Sequence, residues 1–142
     1  MLCWKGVSVY RKGSGFEREL KKALEDKGFA VIRSAGSHGV DLVAGKNGKI
    51  YIFECKVTSK EKFYISKEDV DKLVEFSETF GGAPYIALKM KGERLFINPY
   101  LLTTNGKNYA LDYNKICPIA TDFKELIGEG KQIRLTGSDK LI

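Results

Sequence analysis

The sequence predicts a single α/β domain with a central mixed β-sheet that helices flank on both faces. Its 142 residues suit one hydrophobic core, and its 43% hydrophobic and 30% charged residues are typical of a globular protein. Segments of helical and strand periodicity follow one another in the order α-β-β-β-α-β-β. We treat residues 1–142 as one domain, with residues 1–13 as a basic N-terminal arm and residues 99–142 as an extension of weaker pattern.

The first helix is predicted to begin at Ser14 and to end at Gly28. A serine can accept hydrogen bonds from the free N–H groups of a first helical turn, and Glu17 lies three residues on, as in a capping box. Apolar residues then recur at helical spacing, at Phe16, Leu20, Ala23 and Leu24.

Three strands are predicted next, at Phe29–Arg33, Val40–Gly45 and Lys49–Val57. A loop of small residues, Ser34–Gly39, separates the first two strands. The last two flank Asn47-Gly48, and this dipeptide is a strong signal for a two-residue hairpin turn.

A second helix is predicted from a cap at Ser66 through Phe80, because apolar residues recur on one stripe that includes Phe80. Gly81-Gly82 ends it, since glycine tolerates the left-handed conformation common after a helix. The remaining predicted elements are the strands Ala83–Met90 and Arg94–Asn98 and a short helix over Asp122–Ile127.

Cysteine usage and hydropathy exclude several classes of protein. Cys3, Cys55 and Cys117 form no C-x-x-C pair and have only His38 to help them, which disfavours both a zinc site and a disulfide scaffold. No segment approaches the roughly 18 apolar residues that span a bilayer, and the first residues lack a signal-peptide pattern. We expect a cytoplasmic protein with no membrane partner.

The charge balance favours a polyanionic partner. Lys and Arg total 24 against 18 Asp and Glu, which gives a net charge of +6. Nucleic acid is the commonest polyanion in a cytoplasm. On charge alone, a solvated basic surface that only aids solubility is an equal alternative.

The predicted hairpin aligns two acidic residues. If Asn47 and Gly48 form the turn, Asp41 lies directly opposite Glu54 on one sheet face, with Cβ atoms roughly 4.5–5.5 Å apart. Lys56 lies two residues beyond Glu54, so the pleat places it on the same face. Facing carboxylates repel each other, and their presence beside apolar residues of the same face therefore indicates a function.

A divalent cation would remove that repulsion. Oxygen-only ligands favour magnesium or manganese, and the carbonyl of Cys55 can add a further ligand while its thiol points to the opposite face. Lys56 can orient an attacking water or neutralise charge on a phosphate, and Glu17 can reach over the sheet edge to the metal. The pattern thus predicts a metal-dependent hydrolase of phosphodiesters with Glu17, Asp41, Glu54 and Lys56 in its active site.

Structural interpretations of the same residues stay open. Glu17 can form a capping box or pair with Lys21 four residues on. Glu54 and Lys56 can be an exposed strand pair, and Asp41 can simply begin a strand. Their alignment by one turn favours the metal site over these alternatives.

The motif Asp41…Glu54-Cys55-Lys56 resembles the D…E-x-K signature of the restriction-endonuclease-like nucleases. More narrowly, the chain resembles the archaeal Holliday junction resolvases over roughly residues 9–98. The likeness weakens before Tyr10 and after Pro99. Four segments in order support it: YRKGSGFEREL, GFAVIRSAGSHGVDLVAG, IYIFECKV and LVEFSETFGGAP.

This resemblance implies a restriction-endonuclease-like fold and a homodimer that makes paired, magnesium-dependent cuts in four-way DNA junctions. It assigns the metal carboxylates to Asp41 and Glu54, the catalytic lysine to Lys56 and the helix carboxylate to Glu17. It also implies a catalytic role for Ser37. It associates DNA contact or catalysis with Arg11, Lys12, Arg18 and Arg33, and the dimer contact with Phe76 and Phe80.

Other functions remain as alternatives. One is a related nuclease that acts on another branched or duplex DNA, since junction selectivity depends on dimer geometry. Another is a DNA-binding subunit without activity, which the intact set of four catalytic residues disfavours. RNA binding is disfavoured because no ribonucleoprotein-type aromatic motif is present.

Overall fold

The computed structural model describes residues 15–34, 39–104 and 106–129. Its first helix, α1, covers residues 15–26. The elements that follow are β1 (Ala30–Arg33), β2 (Leu42–Lys46), β3 (Lys49–Thr58), β4 (Lys62–Ser66), α2 (Lys67–Phe80), β5 (Ala83–Met90), β6 (Glu93–Ile97), a 3-10 turn (Pro99–Leu101), β7 (Asn108–Asp112), α3 (Tyr113–Ile116) and α4 (Phe123–Leu126).

The main sheet is mixed, as the sequence predicts. Its strand order is β1-β2-β3-β5-β6, in which β3 and β5 are parallel and the other pairs are antiparallel. Asn47 and Gly48 both have positive φ, 52° and 83°, as a type I′ turn requires. The turn sets the predicted register, with Leu42 opposite Phe53.

The sheet separates two hydrophobic clusters because successive residues of β3 point to opposite faces. Ile52 packs on one face with Val70 and Leu73 of α2. Phe53 packs on the other face with Leu20 of α1, and α4 belongs to that same cluster. Helices therefore cover both faces, and the strand that carries Glu54 lies between the two clusters.

The ends of α2 follow the predicted capping chemistry. The Ser66 hydroxyl accepts a hydrogen bond of 3.0 Å from the Asp69 N–H, and Gly81 adopts φ 95° while its N–H donates to the Ser77 carbonyl at 2.8 Å. The predicted stripe is wrong at one position. Phe80 is 51% exposed and does not belong to the core.

The sequence does not predict a second, two-stranded sheet. In it, β4 pairs with β7 in antiparallel register, from Lys62 opposite Asp112 to Ser66 opposite Asn108. Each strand has only five residues and the partners lie far apart in the chain, so no local turn signal announces the pair. The short helix α3 is a further element that the sequence does not predict.

The predicted helix near the C-terminal end is confirmed as α4, with Asp122 as its N-cap. The segment before it is anchored to the main sheet, because Phe96 and Thr121 form an isolated bridge. The buried Tyr51 hydroxyl also donates to the Leu126 carbonyl at 2.8 Å. Residues 106–129 therefore pack onto the same core as the strands.

Smaller differences concern element ends. β2 begins at Leu42 rather than at Val40, and β6 ends at Ile97 rather than at Asn98. The predicted cap at Ser14, the basic arm and residues 130–142 lie outside the described residues. None of the helices in the described ranges combines the length and apolarity that crossing a membrane requires.

Candidate functional site

The β2–β3 hairpin positions the first carboxylate. Asp41 precedes β2 by one residue, yet its N–H donates to the Phe53 carbonyl at 2.9 Å and so extends the ladder. Its Oδ2 atom accepts a hydrogen bond of 2.7 Å from the Cys55 N–H. These two bonds hold the Asp41 side chain against β3 beside Glu54, as the register predicts.

The two carboxylates are costly to ionise side by side. Burial raises the pKa of Glu54 to about 7, and the nearby Asp41 charge adds to the effect. Burial also raises the pKa of Asp41, although the Cys55 N–H and the charges of Lys56 and Arg33 oppose the rise. A cation bound here would stabilise the ionised forms of both carboxylates and so oppose the rise in both pKa values.

Lys56 lies beside this pair on the same sheet face. Its Nζ atom is 3.4 Å from Glu54 Oε2 and 3.5 Å from Asp69 Oδ2. Burial lowers the pKa of Lys56, but the carboxylates of Glu54, Asp69 and Asp41 outweigh it and the net shift is upward. Lys56 therefore carries its positive charge at neutral pH.

Asp69 is a site residue that sequence reasoning missed. It lies in the first turn of α2, where the cap at Ser66 orients it toward the end of β3. The available signal was the Ser66-x-x-Asp69 spacing at the predicted start of the helix. This spacing does not show that the connection between the parallel strands β3 and β5 brings the first turn of α2 next to Lys56.

Glu17 and Arg33 form an ion pair next to the carboxylates. The Arg33 Nε atom donates to Glu17 Oε1 at 2.9 Å. Burial and the Asp41 charge raise the pKa of Glu17, whereas Arg33 lowers it. Glu17 thus lies near enough to interact with Asp41 across the sheet edge, but its contact is with Arg33.

The described residues do not assemble a three-carboxylate metal cage. Across residues 15–34, 39–104 and 106–129, no three His, Cys, Asp or Glu side chains meet at metal-binding spacing. The predicted position of Glu17 in the ligand set therefore stays a prediction. Asp41 and Glu54 still fit magnesium, which proteins bind through one or two carboxylates while water and substrate phosphates complete the shell.

The Cys55 side chain points away from the site, as predicted from strand alternation. It packs against the cluster that contains Phe53, and burial raises the pKa of its thiol well above the usual range. The thiol is therefore protonated. The assignment of its carbonyl as a metal ligand remains a prediction.

The other predicted residues lie in different places. Arg18 is exposed on α1, whereas Arg11, Lys12 and Ser37 lie outside the described residues. Phe76 and Phe80 are 37% and 51% exposed and stack on each other with ring centroids 5.6 Å apart. We call these two residues and the 70% exposed Ile32 the apolar patch; they line a depression of about 300 Å³ that reaches Asp41.

Comparison with known proteins gives consistent matches. A family model described as archaeal Holliday junction resolvase (Hjc) matches residues 8–135. A Methanocaldococcus jannaschii protein named crossover junction endodeoxyribonuclease Hjc is 66% identical over 126 residues, which cover 89% of this chain and 94% of that protein. The Archaeoglobus fulgidus protein of the same name is 37% identical over 131 residues, which cover 87% and 94%.

A solved structure matches as well. The structure of Archaeoglobus fulgidus Hjc, described as a Holliday junction resolvase from an archaeal hyperthermophile, superposes with a TM-score of 0.76 at 34% identity. The match covers 83% of this chain and 97% of that chain. The region matched by the family model contains every element that positions the candidate site.

Proposed function

This chain belongs to the archaeal Holliday junction resolvase family, and from that premise we propose which of its side chains cut DNA and how. It is an endonuclease that acts on Holliday junctions, and the family depends on divalent metal. The observation that carries the residue assignment is the partly buried pair Asp41 and Glu54 with the charged Lys56 beside it.

Asp41 and Glu54 hold the metal in this proposal, with the Cys55 carbonyl as a further oxygen ligand. The hard oxygen donors favour magnesium, and manganese is the close substitute. When bound, the metal supplies Lewis-acid polarisation of the phosphate and a water of lowered pKa. Glu54 must lose its proton to serve as a ligand, so the site loads more readily above pH 7.

The remaining side chains position the phosphate and its charge. Lys56 keeps its proton and stabilises negative charge that develops on the phosphate, while Asp69 holds the ammonium group in place. Arg33 presents its guanidinium next to Asp41, where it can bind a phosphate oxygen, and Glu17 orients it. From the resemblance alone, Ser37 is proposed as a further catalytic residue, and Arg11, Lys12 and Arg18 are proposed as contacts to the DNA.

We also propose that two copies work together through the apolar patch. Exposed phenylalanines beside a depression are typical of a contact surface, and Phe76 and Phe80 match the dimer positions that the resemblance implies. A four-way junction has approximate two-fold symmetry, so an isologous dimer places equivalent sites on opposed strands. A cytoplasmic location is the natural one for an enzyme with this DNA substrate.

One experiment tests the assignment. Wild type, Glu54→Gln and a matched control, Glu75→Gln, are incubated with a fixed four-way junction and a linear duplex, with and without magnesium. Glu75 is exposed on α2 and makes no ion pair within the described ranges. We expect magnesium-dependent cleavage of the junction by wild type and control, and near-complete loss in Glu54→Gln.

Junction affinity should change no more than a few-fold in Glu54→Gln, because binding rests on Lys and Arg contacts to phosphates. Cleavage by Glu54→Gln at the wild-type rate would refute the metal site. Equal cleavage of the linear duplex would point to a general nuclease. Binding without cleavage by wild type would indicate a non-catalytic subunit.

A further inference from the structure

The small sheet of β4 and β7 has an outer face that the active site does not use. Phe63 and Ile65 of β4 point inward to the core, so Lys62 and Tyr64 point outward. Tyr64 lies opposite Ala110 in the ladder, and the small methyl group leaves the tyrosine ring 58% exposed. The Lys62 Nζ atom lies 5.9 Å from the centre of that ring.

Positive charge on this face has no acidic partner among the residues that the structure describes. Lys62 and Lys60, which lies two residues before β4, are exposed, and neither forms an ion pair with another residue in the described ranges. The nearby acidic side chains are already engaged. Glu61 binds Lys91 at 2.7 Å, and Asp112, opposite Lys62, caps α3 by accepting from the Asn114 N–H.

The strand β4 of this face leads directly into α2, the helix that carries Asp69. Ser66, the last residue of β4, caps α2 and thereby positions Asp69, which holds Lys56. Next to Ser66, a further backbone hydrogen bond joins the ends of β4 and β7, because the Lys67 N–H donates to the Lys107 carbonyl at 2.7 Å. The outer face of β4 is therefore connected through Ser66 to the helical turn that carries Asp69.

We propose that this face, formed by Lys60, Lys62 and Tyr64, is a second DNA contact surface that binds the phosphate backbone of a duplex arm beside the cleavage site. The lysines bind phosphates as point charges, and the tyrosine ring packs against the sugars while its hydroxyl donates to a phosphate. The proposal rests on the assignment of the chain as a junction nuclease, and it adds where an arm of that substrate lies.

Binding to a fixed four-way junction, measured without magnesium over a range of salt concentrations, tests the proposal. The double variant Lys60→Gln/Lys62→Gln removes two charges from the face. Its control, Lys49→Gln/Lys124→Gln, removes two exposed charges elsewhere: Lys49 lies at the far end of β3, and Lys124 lies on α4. Both variants therefore have the same net charge, and calorimetry checks that each one folds.

We expect the double variant to bind about tenfold more weakly or worse at physiological salt, because each lysine that neutralises a phosphate releases counterions on binding. Each such lysine contributes about 0.9 to the slope of log affinity against log salt on duplex DNA, so removing two should reduce the slope by about 1.8. The control should keep the wild-type slope. Tyr64→Ala should bind several-fold more weakly with an unchanged slope, since tyrosine carries no charge.

The proposal fails if the double variant keeps the wild-type affinity and slope, or if the control loses as much as the double variant. In either case, wild-type cleavage of the junction would leave the nuclease assignment intact. A wild type that neither binds nor cleaves the junction would overturn both.

Discussion

Replacing Glu54 by glutamine should stabilise the metal-free protein, and the gain should grow with pH. Burial and the Asp41 charge raise the pKa of Glu54 from 4.5 to about 7. The folded state therefore keeps a proton that the unfolded chain releases, and the free energy of unfolding falls as pH rises between these two values. Glutamine has nearly the same shape and no charge, so the free energy of unfolding of the variant does not fall in this way as pH rises.

The size of the effect follows from the pKa interval. From 4.5 to about 7, at roughly 1.4 kcal/mol per pH unit, the loss is about 3 kcal/mol when the carboxyl is fully ionised. The Glu54 side chain is only 14% exposed, so solvent screening reduces this value little. For 142 residues, an unfolding entropy of about 2.1 cal/mol/K per residue converts 3 kcal/mol into roughly 10 °C.

Scanning calorimetry in the presence of a chelator provides the measurement. At pH 8.5 the melting temperature of Glu54→Gln should exceed that of wild type by roughly 10 °C, whereas at pH 5 most of the difference should disappear. Added magnesium or manganese should raise the wild-type value at pH 8.5 and close the gap. A difference that is the same at both pH values, or that also appears in Glu75→Gln, would refute the reasoning.

Three further predictions concern the rest of the site and the dimer. Asp41→Asn should lose the magnesium-induced rise in melting temperature, which acts on the folded state by mass action; an equal rise in wild type and variant would place the cation elsewhere. Asp69→Asn should slow single-turnover cleavage about tenfold with little change in junction affinity, because an asparagine still fits the helix start but holds Lys56 less firmly; an unchanged rate would remove Asp69 from the site. Light scattering should give twice the chain mass of 15.9 kDa, and Phe76→Ala/Phe80→Ala should give monomers that nick a cruciform plasmid without linearising it; a monomeric wild type would contradict the dimer.

The sequence predicts the central part of the site because that part is local. Asp41 and Glu54 belong to one hairpin, and the two turn residues Asn47-Gly48 determine their pairing without help from the rest of the fold. Lys56 follows from strand alternation alone. The same argument correctly places the Cys55 thiol on the opposite face.

The parts that sequence reasoning missed depend on how separate elements pack. Asp69 reaches Lys56 because the parallel pairing of β3 and β5 requires a crossover, which places the first turn of α2 near the end of β3. The pair of Glu17 with Arg33 depends on the position of α1 over the edge strand. Neither contact leaves a periodic pattern in the chain, and only the family resemblance points to Arg33.

The hairpin turn at Asn47-Gly48 limits the insertions that this chain can accept. The turn is exposed and lies at the end of the hairpin away from Asp41, and exposed loop tips usually tolerate inserted residues. Here a single added residue that slips the pairing would turn Asp41 to the other face of the sheet, away from Glu54. The length of this loop therefore determines whether Asp41 and Glu54 share one face of the sheet.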